Sequence, residues 1–161
     1  EVSPGLFNHS IIFNLILIVT FSVSVNSFSQ LPNLNILFYI IFHLTFIYYL
    51  FYHYHYLHFF LGFIYGVLFD IFLLNTIGTH LICFVALISI YIFMKKYLFL
   101  LSAYQISITI FITLNTIIFT EMLLAFLLDN IYFTINYLLK FFIISIIIFV
   151  PSIFILNKLD K

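Results

Sequence analysis

The chain has 161 residues, of which 66% are apolar and 6% are charged, whereas a water-soluble domain carries about 25% charged residues. Its formal net charge is zero, so it lacks the positive charge with which proteins bind nucleic acid. Its single cysteine excludes an intrachain disulfide framework. The composition is typical of an integral membrane protein, and the length predicts a single domain over residues 1–161.

Continuous apolar runs predict an all-α fold, a compact bundle of six transmembrane helices. A membrane β-barrel would show segments of about ten residues with alternating polarity, whereas closed helices satisfy the backbone within lipid. With a window of about 20 residues for each span, the predicted helices cover 10–28, 34–51, 59–74, 79–94, 97–128 and 137–156. We interpret the first span as a retained helix because no basic residue precedes it, as one would in a signal peptide.

The lysines predict the orientation of the bundle. Six spans put both termini on the same side, together with Lys95, Lys96, Lys158 and Lys161, while Lys140 falls on the other side. Because basic residues are enriched on the inner side of a membrane, we expect both termini to be cytoplasmic.

The segment GFIYGVLFD places Gly62, Gly66 and Asp70 four residues apart, and therefore on one helical face. Glycines at this spacing predict the close approach of another helix. Asp70 is costly in lipid, by about 2.5 to 3.5 kcal/mol at mid-membrane on insertion scales. Two interpretations of its role stay open. The carboxylate braces the turn from Asn75 to Gly78 by accepting backbone hydrogen bonds, or it binds a partner or ligand.

Six polar residues recur at steps of three and four along the fifth predicted span and fall in one arc of the helix. We call them the polar stripe: Ser102, Gln105, Thr109, Thr113, Thr116 and Thr120. The arc favours a seam between helices or a cavity wall over hydroxyls that merely hydrogen-bond to their own backbone. Glu121 lies beside the stripe, and we expect it to reach water or to pair with Lys140.

Catalytic and metal-binding patterns are weak in this sequence. Of His53, His55 and His58, only the last two share a helical face, and no carboxylate or cysteine lies near them in sequence, which disfavours a metal site. His80 is interpreted as a helix-start residue. The sequence lacks a nucleophile triad, a P-loop and a paired-carboxylate motif. We therefore expect a protein that is not an enzyme and has no metal or cofactor.

The run from Gly62 to Tyr91 resembles the central signature of the MreD family of rod-shape-determining proteins. In that signature Gly-x3-Gly-x3-Asp is followed by a short turn and by a glycine, here Gly78, before the next helix. Other similar features lie along nearly the whole chain: Lys95 and Lys96 in a connection, Tyr104 and Gln105, Glu121, and Pro151 in a final helix before a basic tail.

The resemblance implies a non-enzymatic scaffold subunit of the bacterial cell-elongation machinery in the inner membrane. It implies direct binding to the single-span protein MreC, helix to helix within the bilayer. Through MreC it implies a link to MreB filaments and to the peptidoglycan synthases of the side wall.

Two other functions remain as alternatives. One is the substrate-binding membrane subunit of a vitamin-type transporter, in which Asp70, Glu121 and the polar stripe would line a pocket. The other is a subunit of a proton-pumping respiratory complex. That alternative is disfavoured because it needs a chain of ionisable groups across the bilayer, which two acidic residues near one side do not supply.

Overall fold

The computed structural model describes the backbone of residues 4–26, 32–74 and 76–160, and the side chains of 10–26, 33–74 and 76–160. In these ranges it contains six α-helices and no strand. The helices are α1 (Pro4–Val25), α2 (Pro32–Tyr52), α3 (Leu57–Phe69), α4 (Thr79–Leu98), α5 (Ala103–Asp129) and α6 (Ile135–Leu159), and α3 continues as a π-helical turn over Asp70–Leu74. The predicted helical class is confirmed.

Five helices are long and apolar enough to cross a membrane, and Ser10–Val25 in α1 forms a shorter apolar stretch. Large apolar side chains, among them Phe93, Leu100 and Phe154, are exposed on the outside of the bundle. An apolar surface of this extent is stable against lipid rather than water. The chain is therefore a multi-pass membrane protein.

Helix boundaries follow local signals that hydropathy alone does not show. The fifth predicted span begins at residue 97, but α5 starts later because Ser102 and Gln105 form a capping box. The Gln105 backbone N–H donates to Ser102 Oγ, and the Ser102 N–H donates to Gln105 Oε1. Residues 27 and 28 of the first predicted span, Asn75 and Lys161 lie outside the described residues.

Helix α2 lies at the centre of the bundle, where it packs against α1, α5 and α6. Its side chains Phe42, Phe46 and Leu50 are fully buried. Phe42 also contacts Phe69 of α3 and Phe84 of α4 through their rings. Every other helix is thus anchored, directly or through aromatic contacts, on α2.

Helices α3 and α4 pack closely through the two glycines. A Cβ atom at Gly66 would lie 2.7 Å from Leu81 Cα, and one at Gly62 would lie 2.5 Å from Ile88 Cδ1. The close approach predicted for this face exists, and the helix that approaches is α4 of the same chain. The glycines therefore serve internal packing.

We expect Gly66→Ala to lower the free energy of unfolding by about 1–3 kcal/mol, the usual cost of overpacking. The added methyl group would meet the backbone of α4, which cannot yield without moving the helix. Gly62→Ala is the matched control and should cost less, because its methyl group would meet only the flexible tip of Ile88. Unfolding in detergent micelles, followed by circular dichroism, measures both. Equal losses would contradict this packing.

Candidate functional site

Asp70 is fully buried and begins the π-helical turn at the end of α3. Its carboxylate accepts three backbone hydrogen bonds from the start of α4: from Gly78 N at 2.7 Å, His80 N at 2.7 Å and Leu81 N at 3.2 Å. His80 Nδ1 lies 2.9 Å from Asp70 Oδ1. These contacts are the ones that the bracing interpretation predicts, since they satisfy donors that a helix start leaves free.

Gly78, the residue before α4, has a backbone conformation that favours glycine. Its φ is 153° and its ψ is −49°, a backbone region that L-residues rarely adopt. In this conformation its N–H points at Asp70 Oδ2, 2.7 Å away. The glycine predicted from the sequence is thus part of the cap.

Backbone donors hold the Asp70 carboxylate in place as an acceptor. Three backbone N–H groups from the start of α4 donate to its two oxygens, and the positive end of the α4 dipole favours negative charge there. His80 Nδ1 lies 2.9 Å from Oδ1, so one proton is shared between the Asp70 carboxylate and the His80 ring.

From His80 the hydrogen bonds continue into α2 and α5. His80 Nε2 lies 3.1 Å from Tyr39 Oη, which donates to Glu121 Oε2 at 2.5 Å. His43 Nε2 lies 3.0 Å from Glu121 Oε1. We call these five side chains, Asp70, His80, Tyr39, Glu121 and His43, the buried polar chain. It joins α3, α4, α2 and α5.

Proton positions in the buried polar chain follow from its acceptors. Tyr39 gives its hydrogen to Glu121, so its oxygen accepts from His80 Nε2, and one proton is shared between His80 Nδ1 and Asp70 Oδ1. His43 Nδ1 donates to the Tyr39 carbonyl oxygen at 2.9 Å. One further proton lies between His43 and Glu121. This pair is therefore neutral overall, whether the histidine or the carboxylate carries that proton. The buried polar chain therefore has no net charge.

Burial makes this neutrality necessary. Asp70 and His43 are 0% exposed, Glu121 is 3% exposed and His80 is 5% exposed. An unpaired charge at such a site would cost several kcal/mol. Paired and hydrogen-bonded, the groups instead fix the relative positions of four helices.

Two expectations from the sequence change here. The expectation that Glu121 reaches water or pairs with Lys140 is wrong, because α2 packs over it and supplies Tyr39 and His43. His80 does lie at a helix start, as the second residue of α4, but it also links Asp70 to Tyr39. Sequence reasoning missed Tyr39 and His43. The available signal was a histidine inside an apolar span with a tyrosine four residues before it.

A cavity of about 720 Å³ adjoins the buried polar chain. Tyr39, His80 and Glu121 line it, together with Asn35 of α2 and Lys140 of α6. Asn35 Oδ1 is buried and has no hydrogen-bond partner among the residues that the structure describes. The cavity thus combines an unused acceptor and an ammonium group with largely apolar walls.

The polar stripe of α5 makes most of its hydrogen bonds within its own helix. Thr109, Thr113, Thr116 and Thr120 donate to carbonyl oxygens of α5 itself, which is the disfavoured interpretation. Ser102 and Gln105 cap the helix, and both are exposed. Thr120 Oγ1 also contacts another helix, accepting from Cys83 Sγ of α4 at 3.7 Å. Thr116 lines a groove between α5 and α6. Helical spacing thus identifies a face but not what covers it.

Polar contact between α5 and α6 comes instead from residues outside the stripe. Ser145 Oγ donates to Asn115 Oδ1 at 2.9 Å. At the opposite end of the bundle His53 Nε2 lies 2.5 Å from Asp160 Oδ1 and ties α2 to α6. This histidine therefore has a carboxylate partner from distant sequence. Over the described ranges, no three His, Cys, Asp or Glu side chains are grouped to hold a metal ion.

The arrangement can brace helices and hold protons in fixed positions. Each carboxylate of the buried polar chain is engaged by a helix start, a histidine or a tyrosine. No protein-family model, curated protein or solved structure matches the chain.

We expect Asp70→Asn to lower the free energy of unfolding by about 3 kcal/mol, the typical cost of breaking a buried ion pair. The asparagine Oδ1 atom could still accept hydrogen bonds, but its NH2 group, which is only a donor, would face the remaining N–H donors. Asp129→Asn is the matched control, because Asp129 is only partly buried and accepts hydroxyl hydrogen bonds from Thr76 and Thr79. Thermal unfolding in detergent compares the two variants. A loss for Asp129→Asn as large as that for Asp70→Asn would contradict the bracing role.

Proposed function

We propose that the chain is a non-enzymatic scaffold subunit of the MreD type in the bacterial cell-elongation machinery. The observation that carries the proposal is the Asp70 cap. The residues on which the resemblance depends, Gly66, Asp70 and Gly78, are the same residues that join α3 to α4. A motif that builds a rigid helix pair fits a protein whose function is to hold others in place.

The proposed partner is MreC, bound within the bilayer, with MreB and the peptidoglycan synthases linked through it. The connections 53–56, 99–102 and 130–134 are short and offer little surface outside the membrane. Contacts with a single-span protein would therefore be made between helices. The proposed location is the inner membrane with cytoplasmic termini, supported by Lys95, Lys96 and Lys158 at the end opposite Lys140.

The polar stripe is the partner surface that we propose. The glycine face is occupied by α4, whereas Thr120 is exposed and Thr109 and Thr113 are partly exposed. Because small hydroxyl residues let another helix approach closely and can hydrogen-bond to it, this face suits a transmembrane helix better than the bulky apolar faces around it.

The cavity beside Glu121 is the observation that favours a second candidate, the substrate-binding subunit of a small-molecule transporter. Glu121 lines the cavity, as that function predicts. No residue of the polar stripe lines this cavity, and the oxygens of Asp70 accept hydrogen bonds from α4. The transporter alternative therefore explains fewer of the polar residues.

We expect Thr109→Phe to reduce recovery of MreC severalfold in a detergent pull-down, because a bulky ring would keep a partner helix away from the polar stripe. Ile108→Phe is the matched control, since Ile108 is exposed on a neighbouring face of the same turn. It should leave recovery unchanged. Unchanged recovery with Thr109→Phe, in protein that still inserts into the membrane, would count against this surface.

A further inference from the structure

The cavity beside the buried polar chain lies at one end of the bundle, where α1, α3 and α5 end and α2, α4 and α6 begin. Its lining includes Ser24 near the end of α1, Asn35 near the start of α2 and Lys140 in the second turn of α6. Helix ends lie at the level of the lipid headgroups when helices of this length cross a bilayer. The cavity is therefore at headgroup depth.

Lys140 brings a positive charge to the cavity wall. The buried polar chain is neutral, as its hydrogen bonds require, and its carboxylates pair with His80 and His43. In the parts of the chain that the structure describes, Lys140 makes no ion pair. An ammonium group at the wall of a largely apolar recess attracts an anion.

Asn35 supplies a second requirement. Among the described residues, its Oδ1 is a buried acceptor without a donor, and such a group favours the binding of a molecule that donates to it. A ligand with a hydrogen-bond donor near its anionic group would satisfy Asn35 and Lys140 together.

An apolar groove extends from this cavity between α5 and α6. It has a volume of about 690 Å³ and shares Ile118, Met122 and Phe141 with the first cavity. Along α5 its lining runs from Phe111 to Met122, about 16 Å at 1.5 Å per residue. This length accommodates much of one acyl chain within a leaflet.

We propose that the cavity and the groove bind one phospholipid whose headgroup carries a hydrogen-bond donor. Lys140 contacts the phosphate, Asn35 Oδ1 accepts from the headgroup, and an acyl chain lies in the groove between α5 and α6. Ethanolamine and glycerol headgroups meet this requirement. Choline does not, because its quaternary ammonium has no N–H group. The proposal does not depend on the proposed scaffold function.

The test uses the full chain in detergent, titrated with dioleoyl phosphatidylethanolamine, phosphatidylglycerol or phosphatidylcholine and measured by native mass spectrometry. We expect the first two lipids to bind about tenfold more tightly than phosphatidylcholine, the equivalent of one hydrogen bond. Equal binding of all three lipids would overturn the proposal.

Variants separate the two contacts. Asn35→Leu should remove the preference between headgroups, and Lys140→Met should weaken binding of all three lipids. Lys158→Met, at the opposite end of the bundle, is the matched control and should change nothing. Neither Asn35 nor Lys140 belongs to the buried polar chain, and an unchanged thermal unfolding midpoint verifies that both variants fold. A preference that survives Asn35→Leu would contradict the assignment.

Soluble competitors distinguish a lipid from a free metabolite. Phosphoethanolamine and inorganic phosphate, added at millimolar concentration, should not displace the bound lipid, because they lack the chain that fills the groove. Displacement by either one would show a site for a soluble phosphate compound and would overturn the lipid proposal.

Discussion

A buried carboxylate that must be fully paired organises this molecule. Asp70 has no exposed surface, and its two oxygens accept from three backbone N–H groups at the start of α4 and share a proton with His80 Nδ1. A charge in such surroundings is tolerated only with complete hydrogen bonding. This requirement explains the position of α4, the unusual backbone conformation of Gly78 and the orientation of the His80 ring. Gly66 then lets the two helices approach closely enough for these bonds to form.

The same constraint extends across the bundle through the buried polar chain. His80 contacts Tyr39, Tyr39 donates a hydrogen bond to Glu121, and His43 contacts the other oxygen of Glu121. Four helices are thereby fixed to one another by neutral, fully satisfied groups. Such a bundle suits a structural role in a membrane assembly. It also leaves, at the same end, a recess in which Lys140 and Asn35 still lack partners among the described residues.

The helical class could be predicted from the sequence, because it depends on local apolar runs. The spacing of four residues and the glycine after a turn indicated the Asp70 brace as one of two interpretations. The environment of Glu121 could not be predicted in this way. Its partners Tyr39 and His43 lie 82 and 78 residues away in the chain, and periodicity does not say which helix covers a face. For the same reason the polar stripe could be recognised as an arc, while its exposure could not.

The protonation of His80 tests the central claim most directly. Histidine labelled with nitrogen-15, with the His80 signals assigned by comparison with His80→Gln, reports the hydrogens on both ring nitrogens in a micelle or bilayer sample. The account predicts that His80 Nε2 carries a hydrogen, because Tyr39 donates its own hydrogen to Glu121, and that a hydrogen bond joins His80 Nδ1 to Asp70. A His80 Nε2 without hydrogen, or an Nδ1 without a hydrogen bond, would contradict the account.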